Sequence, residues 1–241
     1  MQLARRGKKH EAAAAAVALA FASFGGFQAD ASLIQTFGPV TLETLGAGSF
    51  TVGDKTFSNF GLVSLSTGGA LASTDDSITV AGGFVDGDPN QVYLDFQLSS
   101  LTAASGQTSN VGLSFQVDVN DPLLGVGLVS LTIAAPAVTG NGIASVGESV
   151  YNGTDIFDPV VANLNTTYDG TDFGVLQQQS VIDPPSQQFF VVKDLNVSGG
   201  VEGSAKISRV FQLYDQVVIP EPGTLLLVLA GVPVLAQRRR R

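Results

Sequence analysis

The sequence has no cysteine and no tryptophan, and its only histidine, His10, lies close to the N-terminus. Without cysteine the chain can form no disulfide, no thiolate metal site and no thiol nucleophile. Beyond residue 10 it also lacks histidine, which is the usual general base of nucleophilic triads and the commonest metal ligand. These absences exclude triad hydrolases and strongly disfavour zinc chemistry in the body of the chain.

Charged residues are scarce, at 14% of the sequence, and the basic ones are concentrated at the two ends. Between Ser32 and Ile219, four lysine or arginine residues stand against 18 aspartate or glutamate residues, which gives this span a net charge of −14. Such a field repels polyanions, so we expect no nucleic-acid partner. It attracts divalent cations and suits a solvated protein outside the cell.

Residues 1–31 have the three-part pattern of a secretory signal peptide. Basic residues at positions 5, 6, 8 and 9 precede an apolar stretch over residues 12–24. Ala29 and Ala31 then supply the small residues of a cleavage site before Ser32. The apolar stretch is about 13 residues long, whereas a membrane-spanning helix needs roughly 20. We therefore predict cleavage between Ala31 and Ser32 rather than a retained anchor.

Residues 219–241 combine a proline-rich motif, a short apolar run and a basic end. Pro220-Glu221-Pro222 cannot join a helix or a strand ladder, which predicts an extended and exposed segment. Residues 224–236 would form a helix of about 20 Å, short of the roughly 30 Å hydrocarbon core of a bilayer. The basic end should stay cytoplasmic, and it consists of Arg238, Arg239, Arg240 and Arg241. This pattern favours a temporary hold in the membrane by a short helix.

This three-part tail resembles the PEP-CTERM sorting signal. Pro220-Glu221-Pro222 aligns with the motif that names the family, and the apolar run and the arginines follow at the usual distance. In that family the tail is taken to be processed by an exosortase, a membrane enzyme of Gram-negative bacteria that make exopolysaccharide and biofilm matrix. The resemblance implies an exosortase as partner, an inner-membrane intermediate, and a final location at the cell surface or in the extracellular matrix. It implies no activity for the body.

The body, residues 32–218, has the hydrophobic period of strands rather than helices. Residues 110–120 alternate apolar and polar side chains as a half-buried antiparallel strand does, and residues 91–98 repeat the pattern. Further strands are predicted over residues 40–45, 56–65, 77–80, 128–134, 143–151, 188–195 and 205–214. Turn-forming glycine, asparagine and aspartate separate them, for example at 140–142, and the glutamines at 177–179 are predicted to form a loop. We expect an all-β fold, an antiparallel β-sandwich or jelly-roll-like body, with the signal helix and the membrane helix outside it.

Acidic loops offer the remaining candidates for chemistry in the body. Asp86, Asp88 and Asn90 place oxygen ligands of the kind that Ca²⁺ prefers within one loop. The loop does not match an EF-hand, because Gln91 and Gln97 stand where that motif needs glycine and glutamate. Aspartate in such loops commonly hydrogen-bonds its own backbone, so a solvated turn is the simpler interpretation beside a calcium site.

We expect the body to be a non-enzymatic structural or adhesive module associated with exopolysaccharide or biofilm. One alternative is a polysaccharide-modifying enzyme, which would need two facing carboxyl groups roughly 5 to 9.5 Å apart. Another is a binding module that calcium stabilises. The phenylalanines fit inward strand positions and predict core packing. The four tyrosines could stack on sugars where they are exposed together, and they are Tyr93, Tyr151, Tyr168 and Tyr214.

Overall fold

The computed structural model describes residues 33–46, 48–70, 73–85, 88–134, 136–171 and 176–219. In these residues one short helix, α1 (Leu42–Leu45), and one 3₁₀ turn (Asp75–Ser77) accompany fifteen strands. The strands are β1 (Leu33–Thr41), β2 (Ser49–Val52), β3 (Lys55–Gly68), β4 (Ile78–Val85), β5 (Asp88–Leu98), β6 (Thr102–Ala103), β7 (Thr108–Val119), β8 (Leu124–Ala134), β9 (Ala137–Thr139), β10 (Ile143–Tyr151), β11 (Val160–Tyr168), β12 (Gln177–Ser186), β13 (Gln188–Ser198), β14 (Ser204–Lys206) and β15 (Arg209–Val218).

The strands form two six-stranded sheets and one small sheet. Sheet A has the order β1-β4-β5-β15-β8-β12, sheet B has the order β11-β10-β13-β7-β3-β2, and sheet C has the order β6-β14-β9. Each pair of neighbouring strands in these sheets is antiparallel. Strands that are distant in sequence therefore become neighbours, as where β15 lies between β5 and β8.

Sheets A and B pack face to face across one hydrophobic core. Alternation along each strand turns every second side chain inward, so valine, leucine and phenylalanine fill the space between the sheets. Phe57 of sheet B meets Tyr214 of sheet A with ring centroids 5.7 Å apart, and Phe96 of sheet A meets Phe115 of sheet B at 5.5 Å. Each large apolar side chain buried in this way stabilises the fold by about 1.5–3 kcal/mol.

The predicted all-β class and the antiparallel β-sandwich are confirmed. The predicted signal helix lies outside the described residues, and so does the predicted membrane helix. Within the described ranges, no helix is both long and apolar enough to cross a membrane.

Several local predictions were wrong, and three of them concern the assignment of whole segments. Residues 40–45 do not form one strand, because the Thr41 hydroxyl accepts a hydrogen bond from the Thr44 backbone N–H (3.2 Å) and caps α1. Residues 205–214 divide into β14 and β15, because the chain passes from sheet C to sheet A between Lys206 and Arg209. The glutamines at 177–179 are not a loop: they begin β12, the edge strand that pairs with β8.

Candidate functional site

The outer face of sheet B carries a polar surface over three neighbouring strands. Inward positions of β10 are apolar apart from Glu148, whereas its outward positions hold Ser145, Gly147 and Ser149. Strand register places Ser149 beside Asn163 of β11 and Gly147 between Asn165 of β11 and Asp194 of β13. The same register places Ser145 beside Asn196 of β13. Side chains with hydrogen-bonding groups thus gather in successive rows across the sheet.

These side chains line a shallow groove of about 450 Å³, which we call the polar groove. It is defined by Ser145, Ser149, Asn163, Asn165, Asp194 and Asn196. Its walls offer hydroxyl groups, amide groups and one carboxylate, which together supply both donors and acceptors. Gln178 closes one side, because its side-chain oxygen on β12 accepts a hydrogen bond from the backbone N–H of Asn165.

Gly147 keeps the floor of the polar groove open. A Cβ atom at this position would meet nothing closer than the Cβ of Asp194 at 3.9 Å, which is an ordinary van der Waals contact. Packing therefore does not require glycine there. A larger side chain at residue 147 would project into the polar groove and occupy part of its volume.

Several groups in the polar groove are already oriented by their neighbours. The Ser149 hydroxyl donates to Oδ1 of Asn163 (2.9 Å), and Nδ2 of Asn110 on β7 donates to Oδ1 of Asp194. Within the described part of the chain, the side chains of Ser145 and Asn196 have no hydrogen-bond partner. The polar groove thus combines fixed side chains with groups that are free to bind a ligand.

One aromatic pair lies on the same outer face. Tyr151 of β10 is directly opposite Phe190 of β13, with ring centroids 6.4 Å apart, one row beyond Ser149 and Val192. Both side chains are half-buried. Aromatic rings of this kind present an apolar surface beside polar groups. Of the four tyrosines considered for sugar stacking, Tyr93 and Tyr214 are buried instead.

An acidic corner forms where β5 and β15 approach the start of β3. Burial raises the pKa of Asp215, and the nearby charge of Asp88 raises it further. Burial lowers the pKa of Lys55, and its ion pair with Asp54 (Nζ to Oδ1, 3.2 Å) opposes that change. A carboxyl group with a raised pKa beside a second carboxylate occurs in acid–base catalytic sites and also in structural ion-pair networks. Here, however, Asp54 pairs with Lys55 and accepts a hydrogen bond from Nε2 of Gln216 (2.5 Å to Oδ2). These contacts have a structural role in the acidic corner.

Asp88 and Asn90 do not lie in a loop as predicted, because β5 begins at Asp88. Oδ1 of Asp88 accepts hydrogen bonds from the backbone N–H of Asn90 (2.9 Å) and from its Nδ2 (3.0 Å), so this oxygen already has partners within the chain. Asp86 lies outside the described residues. Over the ranges that the structure covers, no group of three or more acidic or histidine side chains is placed to hold a metal ion. Calcium binding stays a prediction.

The residues predicted for processing also lie outside the described ranges. They are the cleavage residues Ala29, Ala31 and Ser32, the sorting motif Pro220, Glu221 and Pro222, and the basic end Arg238, Arg239, Arg240 and Arg241. Both processing predictions stay predictions.

A second polar feature, which was not predicted from the sequence, is buried in the core. Nζ of Lys193 on β13 donates to Oε2 of Glu148 on β10 and to Oε1 of Gln212 on β15. Nε2 of Gln212 donates to Oε1 of Glu148 at 2.8 Å. We call these three residues the buried polar trio. Each of the three side chains occupies an inward position of its strand. The alternation of inward and outward positions along each strand was the sequence signal that could have placed them in the core.

No protein-family model and no curated protein matches the chain. Among solved structures, it is similar to the family 32 carbohydrate-binding module of C. perfringens NanJ in complex with galactose, with 13% identity over 65% of this chain and 100% of that chain, and a TM-score of 0.24. It is also similar to the module TmCBM27, described by its specific mannan recognition, with 9% identity over 78% of this chain and 98% of that chain, and a TM-score of 0.26. The enzymatically active domain of bacteriophage CBA120 tailspike protein 4 aligns with 15% identity over 67% of this chain but 20% of that chain, with a TM-score of 0.24. Scores this low transfer neither a ligand nor an activity to this chain.

Proposed function

We propose that this chain is an exported surface or matrix protein whose sandwich binds a neutral polysaccharide in the polar groove without catalysis. The observation that carries the proposal is the polar groove itself, where hydroxyl, amide and carboxylate groups from three strands surround an open floor at Gly147. Sugar hydroxyl groups are both donors and acceptors, and side chains of these types pair with both. The neighbouring Tyr151 and Phe190 offer an apolar ring surface for the carbon face of a sugar.

Charge favours a neutral ligand over an anionic one. Asp194 is the only ionisable residue among the six that define the polar groove. The span between Ser32 and Ile219 carries a net charge of −14, so a polyanionic polysaccharide would approach against the field of the whole domain. A neutral polysaccharide meets no such barrier.

Export and sorting are supported by the two ends of the sequence. The signal-peptide pattern of residues 1–31 and the PEP-CTERM-like tail of residues 219–241 together favour transit through the inner membrane and processing by an exosortase. β15 ends at Val218, and Pro220 follows two residues later. The sorting motif therefore begins directly after the sandwich, which is consistent with a body held close to the outer side of the membrane.

The substitution Gly147→Val tests the proposal at the floor of the polar groove. Valine is compatible with a strand, and its Cβ atom would make only ordinary van der Waals contacts at this position. We expect the native protein to bind isolated matrix polysaccharide or a neutral polysaccharide such as dextran or galactomannan in affinity electrophoresis. We expect Gly147→Val to weaken that binding about tenfold or more, equivalent to about 1.4 kcal/mol.

Gly61→Val is the matched control. Gly61 lies on β3 of the same sheet, and a Cβ atom there would meet no atom within 4 Å. This variant should bind like the native protein, as should the native protein in the presence of a calcium chelator. The proposal is wrong if the native protein retains no neutral polysaccharide with or without calcium, or if Gly147→Val binds as well as Gly61→Val.

A further inference from the structure

We propose that Lys193 and Gln212 become joined by an isopeptide bond that forms inside the folded protein, with Glu148 transferring the proton. The buried polar trio carries this inference, which is independent of polysaccharide binding. It brings an amine, a carboxamide and a carboxyl group into mutual contact inside an apolar core. These are the three groups that amide exchange requires.

The amine and the carboxamide face each other across the core. Lys193 projects inward from β13 of sheet B, and Gln212 projects inward from β15 of sheet A. Nζ of Lys193 contacts the side-chain carbonyl oxygen of Gln212. The amine therefore lies beside the carbonyl group that it would attack, and a bond between the two would link the two sheets.

Burial favours the reactive form of the amine. The side chains of Lys193 and Glu148 are both 0% exposed. Burial lowers the pKa of Lys193, although the charge and the hydrogen bond of Glu148 oppose that change. A medium of low dielectric constant disfavours the charged ammonium group relative to the neutral amine, and only the neutral amine is a nucleophile.

The surroundings of the trio exclude water. Nζ of Lys193 lies 5.7 Å from the ring centroid of Phe96 and 6.0 Å from that of Phe115. Both phenylalanines are fully buried in the core between the two sheets. Hydrolysis of the carboxamide, which is the competing reaction, therefore lacks its nucleophile at this site.

The reaction balances without any cofactor. The lone pair on Nζ of Lys193 attacks Cδ of Gln212, and the carbonyl electron pair moves to Oε1. Glu148 takes a proton from Nζ and gives one to Nε2, so its carboxyl group ends as it began. The carbonyl re-forms, the bond from Cδ to Nε2 breaks, and ammonia leaves. The products are one secondary amide and one ammonia, from one amine and one primary amide.

Glu148 is placed for both proton transfers. Its Oε2 accepts a hydrogen bond from Nζ of Lys193, where a proton must leave. Its Oε1 accepts a hydrogen bond from Nε2 of Gln212 (2.8 Å), where a proton must arrive. One carboxyl group thus contacts the nucleophile and the leaving group at the same time.

Lys55 provides a comparison within the same protein. It is also fully buried and pairs with a carboxylate, Asp54, which accepts a hydrogen bond from Gln216. Within the described residues, however, Nζ of Lys55 makes no hydrogen bond to Gln216. The amine at residue 55 is therefore not placed against a carboxamide, and we expect it to remain unreacted.

Intact-mass measurement of the purified full chain tests the proposal, once its termini have been read from the terminal peptides. We expect the native protein to weigh less than its sequence by the mass of one ammonia. A chymotryptic digest should contain a branched peptide that joins Lys193 to Gln212. Glu148→Met and Gln212→Met should each keep the full mass, because the first removes the proton-transfer group and the second removes the electrophile.

Lys206→Arg is the control, because Lys206 lies on β14 outside the trio, and this variant should show the same loss of ammonia as the native protein. A native protein of full mass overturns the proposal. Loss of one water, with Lys193 joined to Glu148, also overturns it, as does a branch at Lys55. If the methionine variants fail to fold, the mass and the branched peptide of the native protein decide the question.

Discussion

Asp215 lies in the acidic corner between two opposing influences. Burial and the charge of Asp88 raise the pKa of this carboxyl group, whereas the backbone N–H of Gln216 and the charge of Lys55 lower it, with less effect. The folded protein therefore binds a proton at Asp215 more tightly than the unfolded chain does. Stability contributed by this residue falls as the pH rises from the unfolded pKa, about 3.9, through the raised folded value.

Asp215→Asn should raise the melting temperature at neutral pH, because asparagine carries no charge to desolvate beside Asp88. The gain should vanish near pH 3.5, below the unfolded pKa of about 3.9, where the native carboxyl group is protonated in both states. Thermal unfolding at the two pH values measures the difference. An equal change in melting temperature at both pH values would contradict this account of Asp215.

Asp169 supplies a control of opposite sign. Hydrogen bonds from the hydroxyl (2.6 Å) and the backbone N–H (3.0 Å) of Thr171 lower the pKa of this exposed carboxyl group. Its contribution to stability is present above the unfolded pKa and is lost as the pH falls through the folded value. Asp169→Asn should therefore lower the melting temperature at neutral pH, opposite to the effect of Asp215→Asn.

The buried polar trio shows what could be predicted at single residues and what could not. In β13 the inward positions read Phe189, Val191, Lys193, Leu195 and Val197, so the alternation already places one lysine in the core. The identity of its partners does not follow from that pattern. To identify Glu148 as a partner one must know the register of β10 against β13, and to identify Gln212 one must know which strands of the two sheets face each other. Neither can be read from the sequence of one strand.

Turns between strands depend on glycine at a few positions, of which Gly140 is one. It lies between β9 and β10 with φ = 56°, and a Cβ atom there would lie 2.1 Å from the backbone oxygen of Glu202. Gly106 also has positive φ (73°), but a Cβ atom there would meet nothing within 4 Å. A substitution at Gly106 therefore introduces backbone strain alone, whereas a substitution at Gly140 introduces both backbone strain and steric overlap.

Gly106→Ala should lower the free energy of unfolding by about 1–2 kcal/mol, the cost of a left-handed conformation for alanine. Gly140→Ala should lower it by more, because the backbone at Glu202 must also move. Unfolding in urea, with the two variants compared at equal m-values, measures both effects. Equal losses in the two variants would mean that the approach to Glu202 carries no cost.

Prediction of strands succeeded where alternation was strong. β10 was predicted at its observed bounds, and β7 within two residues of them, because apolar residues alternate through most of both strands, with Glu148 as the inward exception in β10. β12 was missed because its glutamines and prolines give no such pattern. As an edge strand it is held by backbone hydrogen bonds to β8, which do not depend on side-chain type. Because β12 was not predicted, the position of Gln178 at one side of the polar groove could not be predicted either.

The proposed sorting concerns both ends of the chain and the location of the whole protein. If an exosortase processes the tail, the native protein should begin near Ser32, end near Pro220-Glu221-Pro222 and fractionate outside the inner membrane. The triple variant Pro220→Ala, Glu221→Ala, Pro222→Ala should keep its C-terminal arginines and remain in the inner membrane. Intact mass and cell fractionation of both proteins measure this outcome.

The triple variant Thr154→Ala, Asp155→Ala, Ile156→Ala is a control in an exposed loop of the body, and it should be processed like the native protein. The sorting interpretation is wrong if the native protein also keeps its arginines in the inner membrane. The tail would then be a plain anchor, and the proposed surface location would lose its main support.

The architecture of the whole molecule was predictable only in its class. Composition, turn-forming residues and the strand period indicated a β-sandwich. Each of these properties is averaged over many residues, so an error at a few positions does not change the predicted class. The order of strands was not predictable, since most neighbours in the two sheets are distant in sequence. β15 pairs with both β5 and β8. Arg209 of β15 follows Asp95 of β5 by 114 positions, and the side chains of these two residues form a salt bridge at 2.5 Å.

The central position of β15 determines how the sandwich would carry mechanical load. β15 is hydrogen-bonded to β5 on one side and to β8 on the other, and the chain leaves it at Val218 towards the tail. Tension applied through the tail acts along this strand. Extracting β15 requires both ladders to shear together, whereas a strand at an edge can be peeled away one hydrogen bond at a time. If the protein is tethered by its C-terminal end, it would therefore resist rupture at the strand that bears the force.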